Sequence, residues 1–526
     1  MSETPFSQLG SLIGRRGILC YRREWFGSTI DANPNATEKG PHSMRRLSAL
    51  AVTCLFLAIL FFACDMPVQA ADDPALPQFT AGTAKAVITP DEPLTLVMGG
   101  KPSGKDHDIY ARALVLNDGR QRLVIVTYDL NCLDVATPLL RKRCRDELGI
   151  DAAHLILLAT HNHAAPIQIV PENFEYGHKL ANQIFGLIKA AIAGEQGPAQ
   201  VSVGSGAGRF VQSVGHAPTD YEIQLLKVTV NDKPVALLFN HPTHPLQSSQ
   251  TRIDVGHPGY AVDDVEQAFP GALAMYADAC GGNQFPDRGV IMFGTKEQVR
   301  ALGGELAAAV LKIARSKMRN VTGAIQAKLE VVSLPLADPL PLDEARKLAE
   351  GVPMNIGYVP YPHPDRGTNW IRALMKHYDE NIPFPKRTTD RVCTDDAFLI
   401  REYETPREFP CKYEEVIVAR IGPLAFVAMQ GEVCAPIGMR IKDQLRRVGL
   451  PMMVFAYMGE HNLYIPTREL VRLDAYQAKV IRTQYASPVG WAPEVEDEMV
   501  RGVLKLVRSM FEDVPATKTL GLDEMR

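Results

Sequence analysis

The chain has 526 residues, 46% of them apolar and 22% charged, with a formal net charge of -4. That balance belongs to a soluble globular protein and excludes a disordered or fibrous one. The slight acidity and the lack of a long Lys/Arg run exclude a nucleic-acid footprint, because phosphate binding needs concentrated positive charge, and no nucleic-acid partner is expected.

Residues 1–43 are polar, carry Gly, Pro and Arg, and stand before a natural start at Met44. They read as a mis-called start or a disordered extension. Met44-Arg45-Arg46, the apolar run from Leu47 to Ala63 and the small residues around Val68-Gln69-Ala70 form a signal peptide over 44–70. The apolar run is short of the roughly 20 residues that a membrane span needs. Export to the periplasm or beyond is therefore expected, with 71–526 as one catalytic domain. Export permits disulfides, and Cys393 and Cys411 flank a polar loop across which a bridge is open. No Cys-x-x-Cys spacing is present.

Taken in order, the mature chain predicts a hairpin from Ala111 to Leu116 and back through Leu123 to Tyr128, turning at Asn117-Asp118-Gly119. A helix follows from about 135 to 148, then a short buried strand, Leu155 to Leu158. Apolar residues at Leu180, Ile184, Leu187, Ile188 and Ile192 predict an amphipathic helix over 174–193. A second hairpin joins Leu225–Val230 to Val235–Phe239. Leu273–Tyr276 is a further apolar run, and Thr295 with Gln298 predicts a capping box for a helix reaching about Met318. Residues 334–410, richer in Pro, charge and aromatics, read as an irregular insertion over one face. A third hairpin, Val416–Ile421 with Leu424–Met429, precedes a helix over 436–448, the strand Met452–Tyr457 and a closing helix over 495–510. The fold class expected is α/β, a mixed-sheet core with flanking helices.

Five of these apolar runs empty into residues able to bind a ligand: LILLATHNH, VALLFNHPTH, LAMYADACGGN, LAFVAMQGE and MMVFAYMGEHNLY. In α/β sheets the pocket lies beyond the carboxyl ends of the strands, so a shared polarity would bring these ends together. His161 and His163, one residue apart after an extended run, point to the same side. His241 is the first residue after the second hairpin able to bind a metal, and His244 stands beyond it as a supporting group. Glu432 follows Gly431 at the end of an apolar run, where a carboxylate is costly to desolvate without a cation. Imidazole nitrogens, a carboxylate and a position left for water are the donor set of a hydrolytic zinc centre, Zn2+ being the expected cofactor. His163, outside the donor set, would shuttle a proton or stabilise an oxyanion. Asn283, after Gly281-Gly282, is read either as part of a tight turn or as part of a catalytic oxyanion site. Tyr464 reads from its own context as an ordinary buried aromatic.

At these residues the chain resembles the neutral/alkaline non-lysosomal ceramidases, zinc amidases that split the N-acyl bond of ceramide. The likeness runs through AGTAKAVITP (81–90), MGG (98–100), YARALVL (110–116), THNHAAP (160–166), HPT (241–243), GGNQFP (281–286), GE (431–432) and YIPT (464–467). It implies zinc ligation by His161, His241, Glu432 and Tyr464, with the His163 side chain contacting the reacting group. It also implies a lipid-like N-acyl substrate and contact with a membrane surface. Two departures stand out: Phe285 falls where the family has a catalytically important serine, and Ala164-Ala165-Pro166 replaces a glycine-rich run. The chain also ends short of the C-terminal β-sandwich of many members. The expectation is an exported zinc hydrolase acting on an amide or ester. Its rivals are a thiol hydrolase built on Cys280 and a non-catalytic metal- or ligand-binding protein.

Overall fold

The computed structural model describes residues 78–214, 217–356, 364–384, 387–393, 398–404, 411–460 and 463–520. The extension over 1–43, the signal peptide over 44–70 and the side chains of Cys393 and Cys411 lie outside the described residues.

Three sheets carry the molecule. The first contains β1 (Thr80–Val87), β2 (Tyr110–Asn117), β3 (Arg122–Tyr128) and β4 (Leu155–Ala159), in that spatial order. The second contains β5 (Ala199–Ala207), β6 (Glu222–Val230), β7 (Lys233–His241) and β8 (Leu273–Asp278), with the short edge strand Arg319–Asn320 beside β5. The third contains β9 (Ile325–Pro335), β10 (Cys411–Ile421), β11 (Leu424–Met429) and β12 (Met452–Phe455).

All three sheets repeat one wiring. The first three strands are antiparallel, and a helix then carries the chain across to a fourth strand parallel to the third. The crossover helices are Ala136–Leu148, Gly256–Ala268 and Ala435–Arg447. Parallel neighbours need such a crossover, whereas antiparallel ones close through a tight turn. At the first turn Gly119 takes a positive φ of 83°, and its N–H donates to Asn117 Oδ1. The expected mixed-sheet α/β class, its three hairpins and its crossover helices are all observed.

The inner faces of the sheets share one apolar core. Leu114, Ile125, Ile156 and Leu158 of the first sheet meet Leu226, Val228, Leu238 and Met275 of the second and Ile417, Phe426 and Phe455 of the third. Helices cover the outer faces. Phe174–Ala193 buries Leu180, Ile184, Leu187 and Ile188; Lys296–Ala314 opens on the Thr295/Gln298 capping box; Val495–Met510 buries Met499, Val503 and Val507. Among the described residues no helix is long and apolar enough to cross a membrane.

The sequence reading missed β5 and β9. β5 is glycine-rich, and β9 alternates with exposed polar residues along IQAKLEVVSLP, so neither forms an apolar run. The insertion over 334–410 is less irregular than expected. It holds the helices Leu342–Ala349 and Asn369–Asp379 and a hairpin of Arg387–Cys393 with Phe398–Glu404. The second of these helices packs Trp370 under Arg482, 5.0 Å from the ring centre, and Arg366 donates to the Gln484 carbonyl.

The second and third sheets are joined by buried amides. Gln224 Oε1 accepts from Val454 N at 2.9 Å and from Asn240 Nδ2 at 3.1 Å, while Gln224 Nε2 donates to the Met452 carbonyl at 3.2 Å. Gln224→Leu would leave these buried groups unsatisfied, each costing about 1–3 kcal/mol. The urea midpoint of this variant is expected to fall, with an unchanged m-value.

Candidate metal centre

Each sheet delivers its contribution from the carboxyl ends of its parallel pair. His161 and His163 leave β4, His244 follows β7, Glu432 follows β11, and Tyr457 and Tyr464 follow β12. Main-chain bonds bind the ends to one another. Ala159 N donates to the Tyr457 carbonyl at 3.2 Å, Tyr457 N to Gly431 O at 3.1 Å, and Ala456 N to Asp278 O at 3.2 Å. Glu432 and Tyr464 lie directly opposite each other in a two-residue parallel ladder, 432–433 against 464–465. Gly282 packs so closely on the Glu432 carbonyl that a β-carbon has no room there.

The His-x-His turn is held by the residue between the histidines. Asn162 is fully buried and uses both ends of its amide. Its Nδ2 donates to the carbonyls of Asp129 (3.0 Å) and Asp254 (2.7 Å), and its Oδ1 accepts from Ala164 N (2.9 Å) and Gln247 Nε2 (2.6 Å). His161 meanwhile takes a left-handed φ of 55°, a strained conformation for a side chain of this size.

His161, His163 and His244 form the one group of at least three metal-binding side chains among the described residues whose ligand atoms lie within 4.8 Å of one another. His163 Nε2 is 3.0 Å from His161 Nε2. Glu432 Oε2 is 3.2 Å from His161 Nε2 and 3.2 Å from His244 Nε2, and Tyr464 OH is 3.0 Å from His244 Nε2. His244 Nδ1 faces the carbonyls of Gly281 (3.1 Å) and Gln284 (3.3 Å), so Nδ1 carries a proton and Nε2 is the ring nitrogen turned to Glu432 and Tyr464. Phe285 stacks on the His244 ring with centroids 4.6 Å apart. Asn131 meets His161 Nδ1 at 3.1 Å and lines a small cleft with Cys132, His161, Gly431, Glu432, Tyr457 and Glu460.

Burial alone would raise the Glu432 carboxyl, but the charge and contact of His161 and His244 hold it well below the usual carboxylate range. Burial, and then the charge of Glu432, pushes the Tyr464 and Tyr457 phenols well above theirs.

Two expected positions turn elsewhere. His241 is the last residue of β7, paired with Asp278, and its Nε2 lies 3.1 Å from the Gly208 carbonyl against the Phe210 ring. His244 stands in the expected place beside His161 and Glu432 instead. His241-Pro242 and His244-Pro245 are the same dipeptide, and periodicity does not say at which copy the strand ends. Asn283 uses the oxygen of its amide elsewhere: Oδ1 accepts from Ala435 N at 2.7 Å and so caps the helix Ala435–Arg447. His161, His163, Glu432 and Tyr464 do converge. The reading of the sequence passed over Tyr457 and Asn162, although the MGE run after one and the histidines flanking the other marked both segments.

The donors fit a metal. Ligand atoms about 2.0–2.1 Å from a tetrahedral zinc stand roughly 3.3–3.4 Å apart, close to the separations seen here. Glu432 Oε2 is buried 3.2 Å from two imidazole nitrogens, with no well-aligned hydrogen bond among the described residues, as expected of an atom shaped for a cation.

No family model and no curated protein matches the sequence. Solved structures do. The neutral ceramidase from Pseudomonas aeruginosa superposes with a TM-score of 0.62 at 17% identity, over 83% of this chain and 75% of that one. A ceramidase complexed with C2 gives 0.61 at 17% identity, over 84% of this chain and 76% of that one. The fold is that of a bacterial neutral ceramidase. The family resemblance read from scattered motifs thus holds at the level of architecture along most of the chain.

His241 is buried and its imidazole is pushed down to about 4 by that burial, opposed by the Gly208 bond; buried His257 is lowered further. Both are neutral in the fold, whereas an unfolded histidine takes up a proton near pH 6.5. The unfolded chain therefore binds more protons, and stability is expected to fall as pH drops from about 6.5 toward 4, by on the order of 3 kcal/mol for His241. Urea midpoints across that range check this, and His241→Gln should flatten the slope.

Proposed function

We propose that the protein is an exported, zinc-dependent hydrolase that cleaves the amide bond of a lipid-like N-acyl substrate, or an ester of similar shape, at a membrane surface. The observation that carries this reading is the buried meeting of His161 Nε2 and His244 Nε2 on Glu432 Oε2, with Tyr464 beside them. The ceramidase fold supports it, as does the apolar run before Val68-Gln69-Ala70.

In this reading His161, His244, Glu432 and Tyr464 hold the metal. When bound, zinc supplies a water of pKa about 7 and polarises the scissile carbonyl. The chain does the rest. Asn162 keeps both histidines turned to the same side. His163 is half-buried and sits 3.0 Å from His161 Nε2, where its ring can take a proton from the attacking water and return one to the departing amine. Phe285, stacked on His244, walls that ring from solvent.

A thiol mechanism finds little support. Cys280 is buried against Gly438, and burial pushes its thiol up to about 12, leaving almost no thiolate at neutral pH.

Metal analysis of the purified chain and an N-acyl and ester substrate panel test the proposal. His244→Ala should lose zinc and hydrolysis together, whereas His241→Gln should keep its zinc. His163→Ala should keep its zinc and lose about 10²- to 10⁴-fold in kcat. Zinc retained in full by His244→Ala, or turnover unchanged in chelator, would sink the reading.

A further inference from the structure

Tyr457 occupies the wall of the cleft in a way that packing alone does not explain. Its ring lies against His161, with centroids 4.2 Å apart and planes tilted by 36°, and stands 6.4 Å from His244. The residue is 6% exposed, yet its hydroxyl has no hydrogen-bond partner among the described residues. A buried tyrosine normally finds a partner for its O–H, because leaving one unmade is costly. Its backbone is strained as well, with a left-handed φ of 55°, and it is pinned from both sides by the bonds to Ala159 and Gly431. The strand ends that carry His161 and Glu432 thus hold this residue in an unfavourable backbone conformation, its hydroxyl buried and unsatisfied, in the wall of the cleft that His161 and Glu432 also line. Strain and an orphan polar group at one residue are what a pre-organised donor looks like before its acceptor arrives.

We infer that Tyr457 is a catalytic hydrogen-bond donor, its phenolic O–H directed at the negative charge that develops on the substrate carbonyl oxygen as the carbonyl carbon becomes tetrahedral. The phenol keeps its proton throughout. The inference rests on the metal-hydrolase reading and adds to it an oxyanion donor that is not one of the metal-holding residues.

Tyr457→Phe removes one oxygen and keeps the ring on His161. In the zinc-loaded protein kcat is expected to fall about 10²- to 10³-fold, the usual loss for one oxyanion donor. Zinc content should be unchanged, and the melting temperature should be equal to or above that of the parent, since the variant no longer buries an unpaired hydroxyl. Acetohydroxamate, whose oxyanion would meet the same hydroxyl, should bind the variant at least about tenfold more weakly by calorimetry. A kcat within about threefold of the parent overturns the inference, as does equal hydroxamate affinity. Loss of zinc from Tyr457→Phe overturns it too, since the hydroxyl would then be a ligand. If the parent itself hydrolyses nothing on the panel, the metal-hydrolase reading fails, and the hydroxamate comparison still decides the role of Tyr457.

Discussion

A carboxylate inside protein must be answered by positive charge or abandoned to protonation, and Glu432 is answered by two imidazoles at 3.2 Å. Most of the architecture serves that meeting. The ladder with Tyr464 aligns the acid, Gly282 lets the neighbouring turn close over its carbonyl, and the Gly281 and Gln284 carbonyls fix the tautomer of His244. Asn162 performs the matching service for His161 by tying its turn to two distant segments.

The means of convergence is a repeated wiring of three sheets. In each, an antiparallel hairpin is followed by a crossover helix and a parallel strand, so each ends with two strands whose carboxyl ends point the same way. One such pair makes a shallow crevice, the familiar binding place of open α/β sheets. Three pairs, packed through a common core with their ends cross-linked at Tyr457 and Asp278, make a rim that closes around a point.

Much of this was legible in the sequence because it rests on local chemistry. Apolar runs such as LILLA and LAFVAM announce buried strands, Asn117-Asp118-Gly119 announces a turn, and Thr295 with Gln298 announces a helix start. Glu432 stood out for the same reason, as a charge at the mouth of an apolar run. The remainder depends on tertiary facts. Whether His241 or His244 turns inward is decided by where β7 stops pairing with β8, and both histidines are followed by proline. Asn283 looked like an oxyanion residue beside two glycines, but the proximity of Ala435, 152 positions away, makes it a helix cap. Tyr457 resembled any core aromatic, and only the fold shows its hydroxyl without a partner among the described residues and its backbone left-handed.

The threefold wiring has a consequence for biogenesis. No single sheet owns the whole donor group, so a nascent chain that has released only its first two sheets lacks Glu432 and Tyr464. The group is complete only once the last parallel strand has docked. An ion bound there would stabilise only the finished assembly, by an amount set by its concentration relative to its dissociation constant. On the proposed reading, such a cation would latch the finished fold.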